Sequence, residues 1–202
     1  MQQQHDETSR ALLEAAHRLL AEQGSEALTV RRIATEAGMS TMNVYSRFGG
    51  KDGVVDELYR SGFERLFAAI NSVPVTDDFD GDLLKMAHAY RQFALDNPTY
   101  YHVMFRSAIH DFTPSDEATE MALAGLHVFV ERIGVGQERG AVRTDPTYPP
   151  TEIAAWLWAS CHGLVSLELF GIAEERVAWD SVFENGVLTA IAGLRPTAAH
   201  QG

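Results

Sequence analysis

Apolar residues recur at helical spacing along almost the whole chain, and no stretch alternates with period two between hairpin turns, which predicts an all-α protein. Over residues 6–23, Leu12, Ala15, Ala16, Leu19 and Leu20 form one stripe, with Gly24 where a helix C-terminal glycine belongs. Thr29 reads as the N-cap of a short helix carrying Val30, Ile33, Ala34 and Ala37 and closed by Gly38. Ser40 reads as the cap of a second short helix over residues 41–48, which Gly49 and Gly50 break. A longer amphipathic helix over about residues 51–72 carries Val54, Val55, Leu58, Phe63, Leu66, Phe67 and Ile70. VPVTDDFDGD (residues 73–82) mixes Pro, Gly and four Asp, so it predicts a solvated loop and a domain boundary. Five further helices are expected at 83–96, 99–110, 116–139, 151–170 and 179–194, nine in all. The expected organisation is an N-terminal domain over residues 1–50, a connecting helix over 51–72 and a C-terminal domain over 73–202.

Composition narrows the class. With 202 residues, 46% hydrophobic and 22% charged, the chain is neither disordered nor collagen-like nor a coiled-coil rod. The single cysteine, Cys161, cannot form an internal disulfide, and it excludes cysteine-rich zinc frameworks. The N-terminal MQQQHDETSR has no apolar core of a signal peptide, and no run approaches the ~18 apolar residues of a membrane span, so the expected location is cytoplasmic, with no membrane partner. A net charge of −12 argues against a general nucleic-acid coat. Its distribution changes the picture: residues 1–60 carry a net −2 and residues 61–202 a net −10. Within residues 27–51, Arg31, Arg32, Arg47 and Lys51 face only Glu36, a basic island with net +3 that points to one restricted anionic contact.

That island coincides with two short helices joined by a glycine-containing turn, with Ala34, Gly38 and Val44 at internal positions, the pattern of a helix-turn-helix. The second helix then offers Thr41, Met42 and Asn43 to a DNA major groove, with Arg32, Tyr45, Arg47 and Lys51 around it as phosphate contacts. Two ordinary core helices with exposed Thr and Asn would show the same generic pattern. The particular residues say more: TVRRIATEAGMSTMNVYSRFGGKDGVVDELY resembles the DNA-binding domain of the TetR family of bacterial transcriptional regulators. The likeness runs from residue 7 to about 60 and includes Thr29, Ile33, Ala34, Ala37, Gly38, Ser40, Tyr45, Phe48 and Lys51 in the family's spacing. It implies that Thr29, Tyr45 and Lys51 hold phosphates, that Thr41, Met42 and Asn43 approach bases, and that Phe48 packs the domain. Gly50 and Gly53 depart from the family's pattern and are expected to weaken the start of the fourth helix, Gly53 by up to ~1 kcal/mol. On that basis the Gly50–Gly53 turn is a candidate lever between the two parts, which Gly53→Ala should stiffen.

The second part carries a fainter likeness. AAWLWASCHGLVSLELFG (154–171) is similar to a C-terminal ligand-domain subtype named for its Trp, His and Gly, matched here by Trp158, His162 and Gly163. Trp158 and His162 share a helix face, and Ala155, Ala159 and Gly163 make a small-residue stripe that permits close helix contact. The resemblance implies that this helix and the last one, with Val187, Leu188 and Ile191, pair with their symmetry mates in a homodimer. Trp158 and His162 can instead reach a ligand cavity, or simply pack as a core pair. Tyr90, Phe93, Tyr100, Tyr101, Met104 and Phe105 likewise read either as core or, with Phe112, Met121, His127 and Phe129, as walls of a pocket for a small-molecule effector that is apolar and neutral or cationic.

Other chemistry is sparse. No HExxH occurs, and His88, His102, His127 and His162 fall on separate segments, with His110 at the far end of the one holding His102, so no metal is expected. GVGQERG has Arg139 at the third glycine position and no preceding strand, so it is no dinucleotide fingerprint, and GGKDG is no phosphate loop. Neighbouring helical residues point about 100° apart, so Cys161 and His162 are not a nucleophile and its base. The expected protein is a homodimeric regulator and repressor without enzymatic activity or cofactor, released from a palindromic double-stranded DNA operator by a small molecule. Two rivals are a helical small-molecule carrier or enzyme that binds no DNA, and a DNA organiser with a filled core and no ligand.

Overall fold

A computed structural model describes residues 6–105, 109, 112–144, 148–173 and 175–196. Among the described residues it contains nine α-helices, one single-turn 3-10 helix and no strand: α1 (Glu7–Gln23), the 3-10 turn (Ser25–Ala27), α2 (Val30–Glu36), α3 (Thr41–Phe48), α4 (Lys51–Asn71), α5 (Phe79–Asp96), α6 (Pro98–Phe105), α7 (Asp116–Glu138), α8 (Pro150–Leu169) and α9 (Trp179–Ala192). The chain divides into two compact units with boundaries after Glu64, Asp96 and Met121. Residues 97–121 therefore group with the N-terminal helices although they follow the 73–82 loop.

In the first unit, the stripes read from the sequence converge on one core. Leu12, Ala16 and Leu19 of α1, Ile33 and Ala34 of α2, Val44 of α3, and Val54, Val55 and Leu58 of α4 are all buried in it, joined by Leu28 and by Val103 of α6. Each such large side chain contributes about 1.5–3 kcal/mol of burial. The helix starts are fixed locally: Asp6 accepts from the Ser9 N–H at 2.7 Å, and Thr29 accepts from the Arg32 N–H at 3.3 Å. Ser40 occupies the N-cap position of α3 without a capping bond; its hydroxyl instead accepts from the Asn43 amide at 3.4 Å. Gly49, at φ 72°, ends α3 in the left-handed region, where glycine meets no steric penalty.

Gly53 corrects the expectation of a weak helix start. A methyl group there would meet the Phe48 carbonyl oxygen and lie 2.8 Å from its carbonyl carbon. The glycine lets the first turn of α4 approach the end of α3, so Gly53→Ala would wedge the two apart rather than stiffen a lever.

In the second unit, α5, α8 and α9 pack pairwise. Here α5 starts four residues earlier than the pattern predicts, because Asp78 accepts from the Gly81 N–H at 3.0 Å and so caps a turn inside the acidic stretch. Asp82, almost fully buried, accepts from the Thr76 N–H at 2.6 Å and its hydroxyl at 2.9 Å, and Arg132 donates to the Val73 and Pro74 carbonyls, which clips the 73–78 loop down. Gly125 admits the Phe67 ring and Gly136 the Phe79 ring where a Cβ would not fit. Arg91 of α5 joins Glu168 of α8 at 2.5 Å and Asp180 of α9 at 2.6 Å, tying the three helices at one end. Of the segment expected at 99–110, residues 106–108 and 110, His110 among them, lie outside the described residues.

Candidate nucleic-acid interface and apolar cavity

Val44 is fully buried and anchors α3 to the first unit's core, so the opposite side of the helix is turned outward. Thr41 is exposed there, Met42 is 70% exposed and Tyr45 is 55% exposed. The buried anchor thus leaves Thr41, Met42 and Tyr45 in water, where they are free to meet a partner. Thr29 and Arg32 on α2 are exposed, whereas Asn43 and Lys51 are half-buried. Two cations are already engaged: Arg32 donates to the Gln23 side chain, and Arg47 pairs with Asp6 at 3.0 Å and lies 3.4 Å from the side-chain oxygen Oδ1 of Asn43. Asp6 and Gln23 are the members of this surface that the sequence reading missed. Their signal was absent because they lie 41 and 9 residues from the arginines they hold.

The second unit holds a small apolar cavity of about 30 Å³, walled by Leu83, Met86, Ala87 and Tyr90 of α5, Phe129 of α7, Leu157, Trp158 and Cys161 of α8, and Val187 and Ile191 of α9. That volume holds one or two waters at most. Its polar edge is Tyr90, whose hydroxyl lies 3.0 Å from His162 Nδ1, while His162 Nε2 lies 3.4 Å from the Ser166 hydroxyl. Burial lowers the His162 pKa below the ordinary histidine value, so the ring is neutral near pH 7. Trp158 lies beside it, with ring centroids 6.1 Å apart. Burial pushes the Cys161 thiol up to about 12, which leaves it protonated and unreactive at neutral pH.

The sequence candidates for a pocket thus separate. Tyr90, Phe129 and Trp158 line the cavity and His162 meets it through Tyr90. Tyr101, Met104 and Phe105 belong to the first unit, where Phe105 stacks edge-on against Tyr101 at 4.9 Å and Phe63 at 5.4 Å, and His127 is exposed on α7. Leu83, Met86, Ala87, Leu157 and Cys161 are walls the sequence reading did not select.

The residues considered for subunit contact separate too. Val187 and Ile191 turn inward and are buried, Ala155 is half-buried, and Ala159, Gly163 and Leu188 are exposed. Around them Trp156, Leu167, Phe170, Ile172 and Val182 leave a run of exposed apolar side chains on α8, α9 and the turn between. Among the described residues no three His, Cys, Asp or Glu side chains stand together as a metal site, and no helix is long and apolar enough to cross a membrane.

Two short helices joined by a glycine turn, with α3 turned outward, are the arrangement of a helix-turn-helix, and the second unit adds an apolar cavity. Residues 12–58 match the model of bacterial regulatory proteins of the tetR family, and residues 83–189, more than half of the chain, match that of the tetracyclin repressor-like C-terminal domain. The chain belongs to the TetR family, and it is a helix-turn-helix DNA-binding transcriptional regulator. It is 25% identical to the HTH-type transcriptional regulator Rv0681 of Mycobacterium tuberculosis over 193 residues, 95% of this chain and 84% of that one. Against the transcriptional repressor KstR2 of the same organism it is 42% identical over 62 residues, 31% of each chain. A solved Rhodococcus structure of unknown function superposes with a TM-score of 0.82 at 25% identity, covering 97% of this chain and all of that one.

Proposed function

We propose that the chain is a homodimeric repressor in which residues 1–50 read a palindromic operator, the helix over residues 51–72 connects, and residues 73–202 bind a small molecule and the second subunit. The observation that carries the reading is the outward display of Thr41, Met42 and Tyr45 around the buried Val44, beside a basic island in an otherwise acidic chain. Thr41, Met42 and Asn43 approach base edges, while Thr29, Arg32, Tyr45 and Lys51 hold phosphates. Neither unit is assigned a reaction or a cofactor, and a DNA-bound regulator of this kind works in the cytoplasm.

The exposed apolar run on α8 and α9 is the surface for the partner subunit, with Ala159 and Gly163 allowing close approach. The effector is an apolar, uncharged molecule, because no charged side chain lines the cavity and its walls are almost wholly apolar. A ligand pocket needs roughly 300 Å³ or more. The present cavity is about a tenth of that, so effector entry must part α5, α8 and α9, and the ligand then stabilises a conformation different from the empty one. A coupling of ~1–3 kcal/mol is the usual size for such release from DNA. The small volume also favours a second reading, a DNA organiser with no effector, and a ligand-induced rise in melting temperature separates the two. Selection from random double-stranded DNA tests the first claim: an inverted repeat with half-sites about one helical turn or a multiple apart is expected, and enrichment of no inverted repeat overturns it.

A further inference from the structure

Arg47 sits in the last turn of α3, and its donors are taken by neighbouring side chains on the protein's own surface. Its Nε and Nη2 meet the two carboxylate oxygens of Asp6 at 3.3 and 3.0 Å, a two-pronged ion pair between the cap of α1 and the last turn of α3. Its Nη1 lies 3.4 Å from Asn43 Oδ1 and 3.5 Å from the Ser46 hydroxyl. The Asn43 amide nitrogen in turn donates to the Ser40 hydroxyl at 3.4 Å, so both ends of that amide have a partner. Asp6 is itself held in place because it accepts from the Ser9 N–H at 2.7 Å. The Arg47 guanidinium and the Ser9 bonds hold its carboxyl well below the usual range, so it stays charged at every pH at which duplex DNA is handled.

Two physical consequences follow. An arginine already neutralised by a carboxylate releases few counterions on meeting DNA, so it adds little to sequence-independent affinity. An asparagine reads a base through the placement of its carbonyl and amide ends, and an amide fixed at both ends presents one orientation before DNA arrives. We propose that Asp6 is a positioning residue for sequence specificity: its carboxylate takes the place of a DNA phosphate as the partner of Arg47 and, through Arg47, holds the Asn43 amide in its base-reading orientation. The inference rests on the reading of α3 as the recognition helix.

The test uses the full chain and Asp6→Asn. Asparagine caps a helix about as well as aspartate, so the Ser9 bond survives and only the charge is lost. Fluorescence anisotropy compares the duplex selected by the unaltered protein with a scrambled one across about 50 to 200 mM salt. The variant is expected to bind scrambled DNA more tightly, with a log–log salt slope steeper by ~0.9 for each phosphate that Arg47 gains. Its preference for the selected duplex should fall by roughly fivefold or more, the effect of a loosened base contact. Adding Arg47→Ala to Asp6→Asn should remove the extra slope. A purely structural role would instead weaken both duplexes alike, with slope and preference unchanged, and that result overturns the proposal. If the unaltered protein discriminates and Asp6→Asn matches it in slope and preference, the proposal falls while the recognition-helix reading stands. If the unaltered protein prefers no sequence, both fall.

Discussion

Replacing Gly53 with alanine is a perturbation whose sign can be worked out from geometry. In an open helix the change stabilises, by up to ~1 kcal/mol of helix propensity. At Gly53 the new methyl would clash with the Phe48 carbonyl oxygen and lie 2.8 Å from the carbonyl carbon and 3.3 Å from the Cα. All three are backbone atoms, so no side chain can swing away, and the end of α3 or the start of α4 must move. Overpacking of this kind costs ~1–3 kcal/mol, and more where backbone is the obstacle. The net expectation is a loss of about 1–2 kcal/mol, which for a chain of this size lowers Tm by roughly 2–8 °C. Gly134, inside α7, is the internal control, because a Cβ there meets nothing within 4 Å. Gly134→Ala should therefore be neutral or stabilising by up to ~1 kcal/mol. Far-UV circular dichroism during thermal and urea unfolding reads both variants. If Gly53→Ala proves as stable as Gly134→Ala, the close approach of α4 to α3 does not constrain this helix start and the reasoning is refuted.

Gly163→Leu should fold normally, since nothing lies within 4 Å of a Cβ there, yet split the proposed homodimer; sedimentation showing an intact dimer would exclude this face as the interface. His162 has a pKa lowered by burial, so below its ordinary 6.5 the unfolded chain binds more protons than the folded one. Its contribution is therefore fully present above that value and declines as pH falls through the window down to the folded pKa. Urea unfolding at successive pH values should show a shallower loss for His162→Gln, and equal pH slopes would contradict the assignment. Cys161, with its thiol near 12 and its side chain in the cavity wall, should react slowly with an aromatic disulfide in the folded protein and rapidly in urea; fast reaction of the folded chain would mean the cavity is open.

The helices were legible because amphipathic spacing and turn glycines are local signals: α3 falls at residues 41–48 in both sequence and structure. Periodicity, however, identifies a face without naming what the face meets. Val187 and Ile191 form an apolar stripe equally suited to a second subunit or to the chain's own α5 and α8, and only the fold turns them inward. Tyr90 and Tyr101 look alike in an aromatic cluster, but one lines the cavity of the second unit and the other packs in the first. Gly53 looked like a weak helix former because its reason for being glycine is a contact across a turn, not a propensity. Asp6 was invisible for the same kind of reason, since its partner Arg47 is 41 residues away.

If α3 reads bases while its surroundings hold the DNA backbone, the two kinds of contact separate by mutation, and anisotropy titration of Asn43→Ala and Lys51→Ala against the selected operator and a scrambled duplex, at several salt concentrations, distinguishes them. Asn43→Ala should lose ~1–3 kcal/mol of preference for the operator and keep its affinity for scrambled DNA. Lys51→Ala should weaken both duplexes by the same factor and reduce the salt slope by about one. Equal loss of preference in both variants, or none in either, would contradict the division of the surface into base-reading and phosphate-holding residues.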